Sequence, residues 1–292
     1  MTFRSILCPV DFSDCSREAL RFADDIAHRT GGRLSVVYVN DPTLWLASAA
    51  ALHRSPHFLR RTQAELERFV DESIAADPRP PCRVWQGRPA NEILQGAKRY
   101  KHDLIVMGTH GLTGFDRLFF GSTTDHVLRR VTVPLLAVPP PKTLTRSRPG
   151  QPGRRPPIAR ILVPLDLEGA WNDELGGTIG LARIFGAELS LLYVVPRTMT
   201  PPWLRENTAA YDRKRLTKAR RALQQIRAEI PGDVRATTLA VIGKPASEIA
   251  AAAAKLTGLL VMALRRGLRA RSGSITQQVL TQTAAPVLVL PR

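Results

Sequence analysis

The chain has 292 residues, 44% of them hydrophobic, and 42 Lys and Arg stand against 25 Asp and Glu for a formal net charge of +17. That length suits two domains better than one, with enough apolar material for a core in each. No apolar run reaches the roughly 18 residues of a membrane span, and MTFRSILCPVDFSDCS has neither an h-region nor a cleavage site, so a cytoplasmic protein without a membrane span is expected. Three cysteines, Cys8, Cys15 and Cys82, do not make a disulfide framework and read as buried, inert thiols. The charge is uneven. Residues 1–140 carry eighteen basic against fifteen acidic residues, residues 141–157 five against none, and residues 158–292 nineteen against ten. Such an excess favours anionic partners by steering, without choosing among nucleotides, nucleic acid and acidic surfaces.

Ser5 to Val10 reads as a short buried strand, closed by Asp11-Phe12-Ser13-Asp14, where Ser13 or Asp14 caps a helix with Ala19, Leu20, Ala23, Ile26 and Ala27 on one face. Gly31-Gly32 stops that helix, and Leu34 to Val39 is a second strand. Residues 41–57 have no clear period, and a longer helix covers roughly Pro56 to Ala75. Cys82 to Trp85 is a third strand, Ala90 to Tyr100 a helix, Leu104 to Met107 a fourth strand, Ser122 to Arg130 a helix, and Leu135 to Val138 a fifth strand. Strands that are apolar throughout, alternating with helices, predict a parallel sheet covered on both faces.

The pattern breaks at residues 139–157, PPPKTLTRSRPGQPGRRPP, an extended Pro/Arg-rich linker, and then restarts. Arg160-Ile161-Leu162-Val163-Pro164-Leu165-Asp166 repeats Ser5-Ile6-Leu7-Cys8-Pro9-Val10-Asp11, LSLLYV at Leu189 repeats LSVVYV at Leu34, GKPASEI at Gly243 repeats GRPANEI at Gly87, and Pro286 to Leu290 repeats Pro134 to Val138. Four matches in order mark a tandem duplication. The expected architecture is α/β: two tandem doubly wound domains, 1–140 and 158–292, joined by residues 141–157, each a five-stranded parallel sheet of order 3-2-1-4-5 with helices on both faces.

The richest stretch is Gly108 to Thr124, GTHGLTGFDRLFFGSTT, which lies between the fourth strand and the next helix. Gly108, Gly111, Gly114 and Gly121 let backbone approach a ligand closely, and the helix start at Gly121-Ser122, with Thr123 and Thr124, is an anion site in waiting. The same residues also describe a Gly-rich surface loop with a serine cap. In the order 3-2-1-4-5 the first and fourth strands are neighbours at the switch point, where such sheets bind ligands. Asp11 then lies beside Gly108, with the carboxylate as acceptor for a ribose or base and the glycines for phosphate. Alone, Asp11 reads equally as a helix cap.

No Walker A, G-x-G-x-x-G or nucleophile-elbow motif occurs, and no nucleophile–base–orienter trio is visible. His53 and His57 read as a surface pair, and His110 and His126 as solvated groups in or near the loop. The leaning is away from an enzyme, with at most slow ATP hydrolysis or autophosphorylation.

The spacing Gly108-x2-Gly111-x9-Gly121-Ser122, with Pro9-Val10-Asp11, Gly87-Arg88-Pro89 and the Pro134 to Val138 strand, resembles the universal stress protein family over nearly the whole chain, as two tandem domains. The resemblance implies ATP, with or without Mg2+, as ligand and a stress-response regulatory role. It implies Asp11 on the nucleoside and Val39 toward adenine, with Gly108, Gly111, Gly121, Ser122 and Thr123 on ribose and phosphates. The candidate set is completed by Pro9, Val10, Ser13, Met107, His110, Gly114 and Thr124. The apolar fifth strand, Leu135 to Val138, would be an exposed edge, and Val287 to Leu290 offers it a partner, so the two domains are expected to pair through these strands; in the resembling family this edge serves dimerisation, and a homodimer is expected, with a regulatory protein partner that the sequence does not identify. The second copy departs. Ala263 replaces the first glycine, Arg265, Arg266, Arg269 and Arg271 fill the loop, Glu168 stands in for Ser13, and Ala263 and Gly273 are ten positions apart rather than thirteen. Poor ATP binding and a structural or partner-binding role are therefore expected there. The alternative reading is a basic protein that binds nucleic acid or an anionic surface.

Overall fold

The computed structural model describes residues 2–41, 58–111, 121–140, 158–167, 172–200, 203, 208–255, 258–264 and 274–291. The chain divides into two compact units, Thr2–Pro156 and Pro157–Leu290.

In the first unit the elements run β1 (Ser5–Val10), α1 (Asp14–Thr30), β2 (Arg33–Asn40), α2 (Phe58–Ser73), β3 (Cys82–Gln86), α3 (Pro89–Arg99), β4 (Leu104–Gly108), α4 (Ser122–Arg130) and β5 (Leu135–Val138). The strands pair in parallel in the order β3-β2-β1-β4-β5. Right-handed crossovers then put α1 and α2 on one face and α3 and α4 on the other, and the members of each pair pack together. The central strands are buried along their whole apolar length: Ile6, Leu7, Leu104, Ile105, Leu135 and Leu136 are 0–1% exposed. Each such side chain contributes about 1.5–3 kcal/mol by leaving water.

Local signals explain where the elements end. Ser13 is the cap of α1, its hydroxyl accepting the N–H of Ser16 at 3.1 Å. Gly31 closes the helix in the left-handed region at φ 64°, a conformation glycine adopts without steric cost. The helix expected over Pro56 to Ala75 is observed as Phe58–Ser73. Residues 42–57, with His53 and His57, lie outside the described residues.

The second unit repeats the plan: β6 (Arg160–Pro164), α5 (Asn172–Phe185), β7 (Glu188–Pro196), α6 (Ala209–Ala228), β8 (Ala236–Gly243), α7 (Pro245–Lys255), β9 (Gly258–Leu264), α8 (Ile275–Gln282) and β10 (Val287–Pro291). Its strands lie in the order β8-β7-β6-β9-β10. The duplication extends to small devices. Gly87 and Gly243 each close a strand under the side chain of a glutamate five residues on, and a Cβ on either would lie within 2.5 Å of the Glu92 or Glu248 Oε1. Among the described residues no helix is long and apolar enough to cross a membrane.

Candidate functional site

The parallel pairing of β1 with β4, with Ile6 opposite Leu104 and Leu7 opposite Ile105, brings the ends of both strands to the same carboxyl edge of the sheet. Asp11 follows β1 there. Its Oδ1 accepts the backbone N–H of Ser13 at 3.1 Å and the Ser13 hydroxyl at 2.5 Å, while Oδ2 faces Gly111: a Cβ on Gly111 would sit 2.7 Å from it. The carboxylate is thus held at one oxygen and presented at the other. The expected meeting of Asp11 with the Gly loop is what the geometry delivers, through Gly111 rather than Gly108.

The glycines divide their work. A Cβ on Gly108 would meet Cys15 Sγ at 2.9 Å and the Ser16 nitrogen at 3.2 Å, so Gly108 lets α1 pack against the end of β4. Cys15 Sγ donates to the Val138 carbonyl at 3.2 Å, and burial raises its pKa. Burial likewise drives the Cys8 thiol well above its ordinary value and pushes Cys82 up to about 11. Gly121 closes the loop: its N–H donates to the Thr109 carbonyl at 2.8 Å, and a Cβ there would lie 3.2 Å from that oxygen. The chain therefore leaves and re-enters the site at one point. Gly114 and the rest of residues 112–120 lie outside the described residues.

Behind Gly121 begins α4. Its N-cap is a glycine, and among the described residues no side chain caps it, so the partial positive charge of the first-turn N–H groups is available to an anion. Ser122 is exposed and Thr123 half-buried at this start. Thr124 is buried, and its hydroxyl donates to the Gly108 carbonyl at 2.8 Å; it ties α4 to β4 and has no proton left to offer. His110 bonds Thr109 Oγ1 through Nδ1 at 2.8 Å. Its Nε2 is buried without a hydrogen-bond partner among the described residues. Desolvation lowers its pKa, which leaves a neutral imidazole with one ring nitrogen uncommitted. His126 contacts the Arg130 guanidinium on the exposed side of α4.

Pro9, Val10, Val39 and Met107 are buried near the carboxyl ends of β1, β2 and β4: Val10, Val39 and Met107 are 5–9% exposed, Pro9 is buried in β1, and Val39 pairs with Trp85 on β3. Sequence reasoning missed Phe12. It stands at φ 66°, a strained backbone for a bulky residue and of the kind that collects at functional sites. The turn sets its ring 4.8 Å from that of Tyr38 and 5.5 Å, edge-on, from Phe69, which walls the site toward β2 and α2. Burial and, second, the Asp11 charge raise the Tyr38 pKa. A phenylalanine gives no signal of left-handed backbone in sequence.

The second unit solves the same corner differently. Thr276 reaches the Ala263 carbonyl at 3.4 Å, as Thr124 does that of Gly108. Here, however, the N-cap of α8 is Ser274, whose hydroxyl accepts the N–H of Gln277 at 3.2 Å. One of the first-turn N–H groups of that helix is thus satisfied from within. Glu168, Gly273 and the four loop arginines lie outside the described residues.

A doubly wound parallel sheet brings a held carboxylate and a helix start together at its switch point, the edge at which open α/β sheets take their ligands. The family model for the universal stress protein family matches twice, over residues 2–139 and 157–291; the chain belongs to that family as a tandem two-domain member. It is 36% identical over 138 residues to a universal stress protein of Thermus aquaticus, covering 47% of this chain and 98% of that protein. It is 32% identical over 143 residues to one of Methanocaldococcus jannaschii, covering 48% of this chain and 84% of that protein. Among solved structures it is similar to a universal stress protein from Archaeoglobus fulgidus, with TM-score 0.63 and 18% identity over 100% of this chain and 98% of that one, a likeness of fold.

Proposed function

We propose that the protein is a regulatory ATP-binding protein of the stress response that holds one nucleotide in its first domain, residues 1–140. The observation that carries this reading is the Asp11 Oδ2, without a hydrogen-bond partner among the described residues, against Gly111 beside the start of α4. Ribose hydroxyls donate to a carboxylate, and phosphate oxygens accept from first-turn N–H groups. The His110 Nε2, unpartnered among the described residues, fits the same ligand as a donor to a phosphate oxygen, in the tautomer that carries its proton there. In this reading Ser122, Thr123, Gly111 and Gly121 line the phosphates, Asp11 takes the ribose or base, and Val39 and Phe12 bound the adenine. A Mg2+ ion, where bound, would ride on the phosphate oxygens. The second domain, from residue 158, is the structural or partner-reading half, in keeping with the Ser274 hydroxyl taking one first-turn N–H of its helix and with the loss of the first loop glycine at Ala263. Bound ATP sets a conformation that a partner protein reads, with turnover slow at most, and the chain associates as a homodimer.

Asp11→Ala tests the reading. It removes the acceptor while Ser13 keeps its cap on Ser16. The expected result in a calorimetric ATP titration is an affinity loss of about 10–100-fold, the worth of a hydrogen bond to a charged group, with the fold retained. An unchanged affinity removes Asp11 from the site.

A further inference from the structure

The two copies of one element have diverged in charge. In the first unit α2 carries three arginines against four acids, and the acids are engaged: Glu65 with Arg68, Glu67 and Asp71 with Arg79, and Glu72 with Arg17. Its counterpart α6, between the second and third strands of its unit, carries seven basic residues against one acid. That acid, Asp212, is 7% exposed and is taken up by Thr198 Oγ1 at 2.6 Å and by Arg215 at 3.5 Å. Arg213, Lys214, Lys218, Arg220 and Arg221 are exposed and form no ion pair among the described residues. Ala219, Leu223 and Ile226 bury the opposite side of the helix, so these cations are fixed facing out. Ala210, Arg213, Lys214, Thr217, Lys218 and Arg221 line a groove of about 480 Å³ along it.

We infer that this face of α6 is a docking surface for the sugar–phosphate backbone of nucleic acid. Like charges three and four residues apart on a helix repel, a cost that an anionic partner reverses. From Arg213 to Arg221 the helix runs about 12 Å, and one strand of a duplex presents a phosphate every 3.4 Å or so, which matches three or four phosphates to Arg213, Lys214, Lys218 and Arg221. The guanidinium groups supply the two-pronged donors that suit phosphate, and Tyr211 at the head of the helix is 58% exposed. An acidic bilayer is the rival occupant, because Met199 and Trp203 before the helix are 93% and 80% exposed. The groove itself favours the nucleic acid. Its lining holds no apolar side chain larger than Ala210, whereas docking into a bilayer needs apolar side chains to insert.

The test is binding of the full chain to a mixed-sequence DNA duplex of about 20 base pairs, by fluorescence anisotropy at several salt concentrations. At roughly 0.9 counterions released per contacted phosphate, four contacts predict an affinity about 100-fold weaker at 200 mM than at 50 mM salt. K214E/K218E/R221E should bind at least about 30-fold more weakly at 50 mM and lose less than about fivefold over the same range. Its ATP affinity should stay unchanged, which separates this surface from the nucleotide site. K214R/K218R should keep the wild-type slope. K214Q/K218Q, which avoids charge reversal, should lower the slope by about 2. The inference is overturned if the wild type has no duplex affinity at 50 mM salt, if the triple variant keeps the wild-type slope, or if phosphatidylserine vesicles bind the chain under conditions in which the duplex does not.

Discussion

Gly111→Val is expected to weaken ATP binding by at least about 100-fold, or ~2.7 kcal/mol, while leaving the first domain folded. A Cβ at position 111 would stand 2.7 Å from Asp11 Oδ2, well inside van der Waals contact. Among the described residues the atom crowded at that distance belongs to a carboxylate, and Oδ1 of the same group is tied to the Ser13 N–H and hydroxyl. The carboxylate must therefore turn away or lose those bonds, and the two branches of valine fill the space where a ribose or phosphate would lie. No core side chain is displaced, so the unfolding midpoint should move by less than about 2 °C. Titration of ATP into the nucleotide-free variant, alongside thermal unfolding, checks both halves. Affinity within about threefold of wild type would show that Gly111 is a loop glycine with no part in binding.

Gly258→Ala is expected to destabilise the second domain by about 2–3 kcal/mol, with a midpoint roughly 10 °C lower. Gly258 opens β9 directly opposite Arg160 of β6, and an added Cβ would lie 2.0 Å from the Arg160 carbonyl oxygen and 2.9 Å from its carbon. Both partners are backbone of paired strands with buried residues such as Ile161 and Leu260 just beyond, so neither yields without breaking the ladder. The counterpart in the first domain is Asp103, whose carboxylate instead accepts the N–H groups of Arg4 and Ser5 at 2.8 and 3.0 Å. The two copies fasten the start of their first strand by different means. Calorimetric unfolding of the variant reads the loss, and its ATP affinity should match wild type because the first-domain site is untouched. A midpoint within about 1 °C of wild type would contradict the close packing at this pair.

The fold was legible because its signals are redundant. Apolar strands such as Leu104 to Met107, helix stripes such as Ala19-Leu20-Ala23, and the second copy each state the same α/β plan. The site was legible as a set of residues and not as a division of labour. Spacing alone treats Gly108, Gly111 and Gly121 alike, whereas Gly108 makes room for Cys15 and Ser16, Gly111 for the Asp11 carboxylate, and Gly121 for the Thr109 carbonyl. Thr124 read as a ligand hydroxyl, yet its proton belongs to the Gly108 carbonyl, sixteen residues back and invisible in a linear pattern. The uncapped start of α4 and the self-capped start of α8 differ although Gly-Ser precedes both, because the helix begins at Ser122 in one and after Ser274 in the other. The basic excess of the second half was plain from composition. Its concentration on α6 needed the ion pairs, since the acids that neutralise Arg79 and Arg17 come from α2 across a turn and a helix interface.

The central claim is that one of two homologous domains holds the nucleotide, and stoichiometry tests it most directly. The purified chain is denatured, the released nucleotide is identified and counted, and ATP is titrated into the emptied protein. ATP at about one per chain is expected, with its affinity lowered at least about 100-fold by Gly111→Val. Two per chain would contradict the self-capped α8 as a closed site, and none would contradict the assignment of Asp11, Gly111 and the start of α4 to a nucleotide.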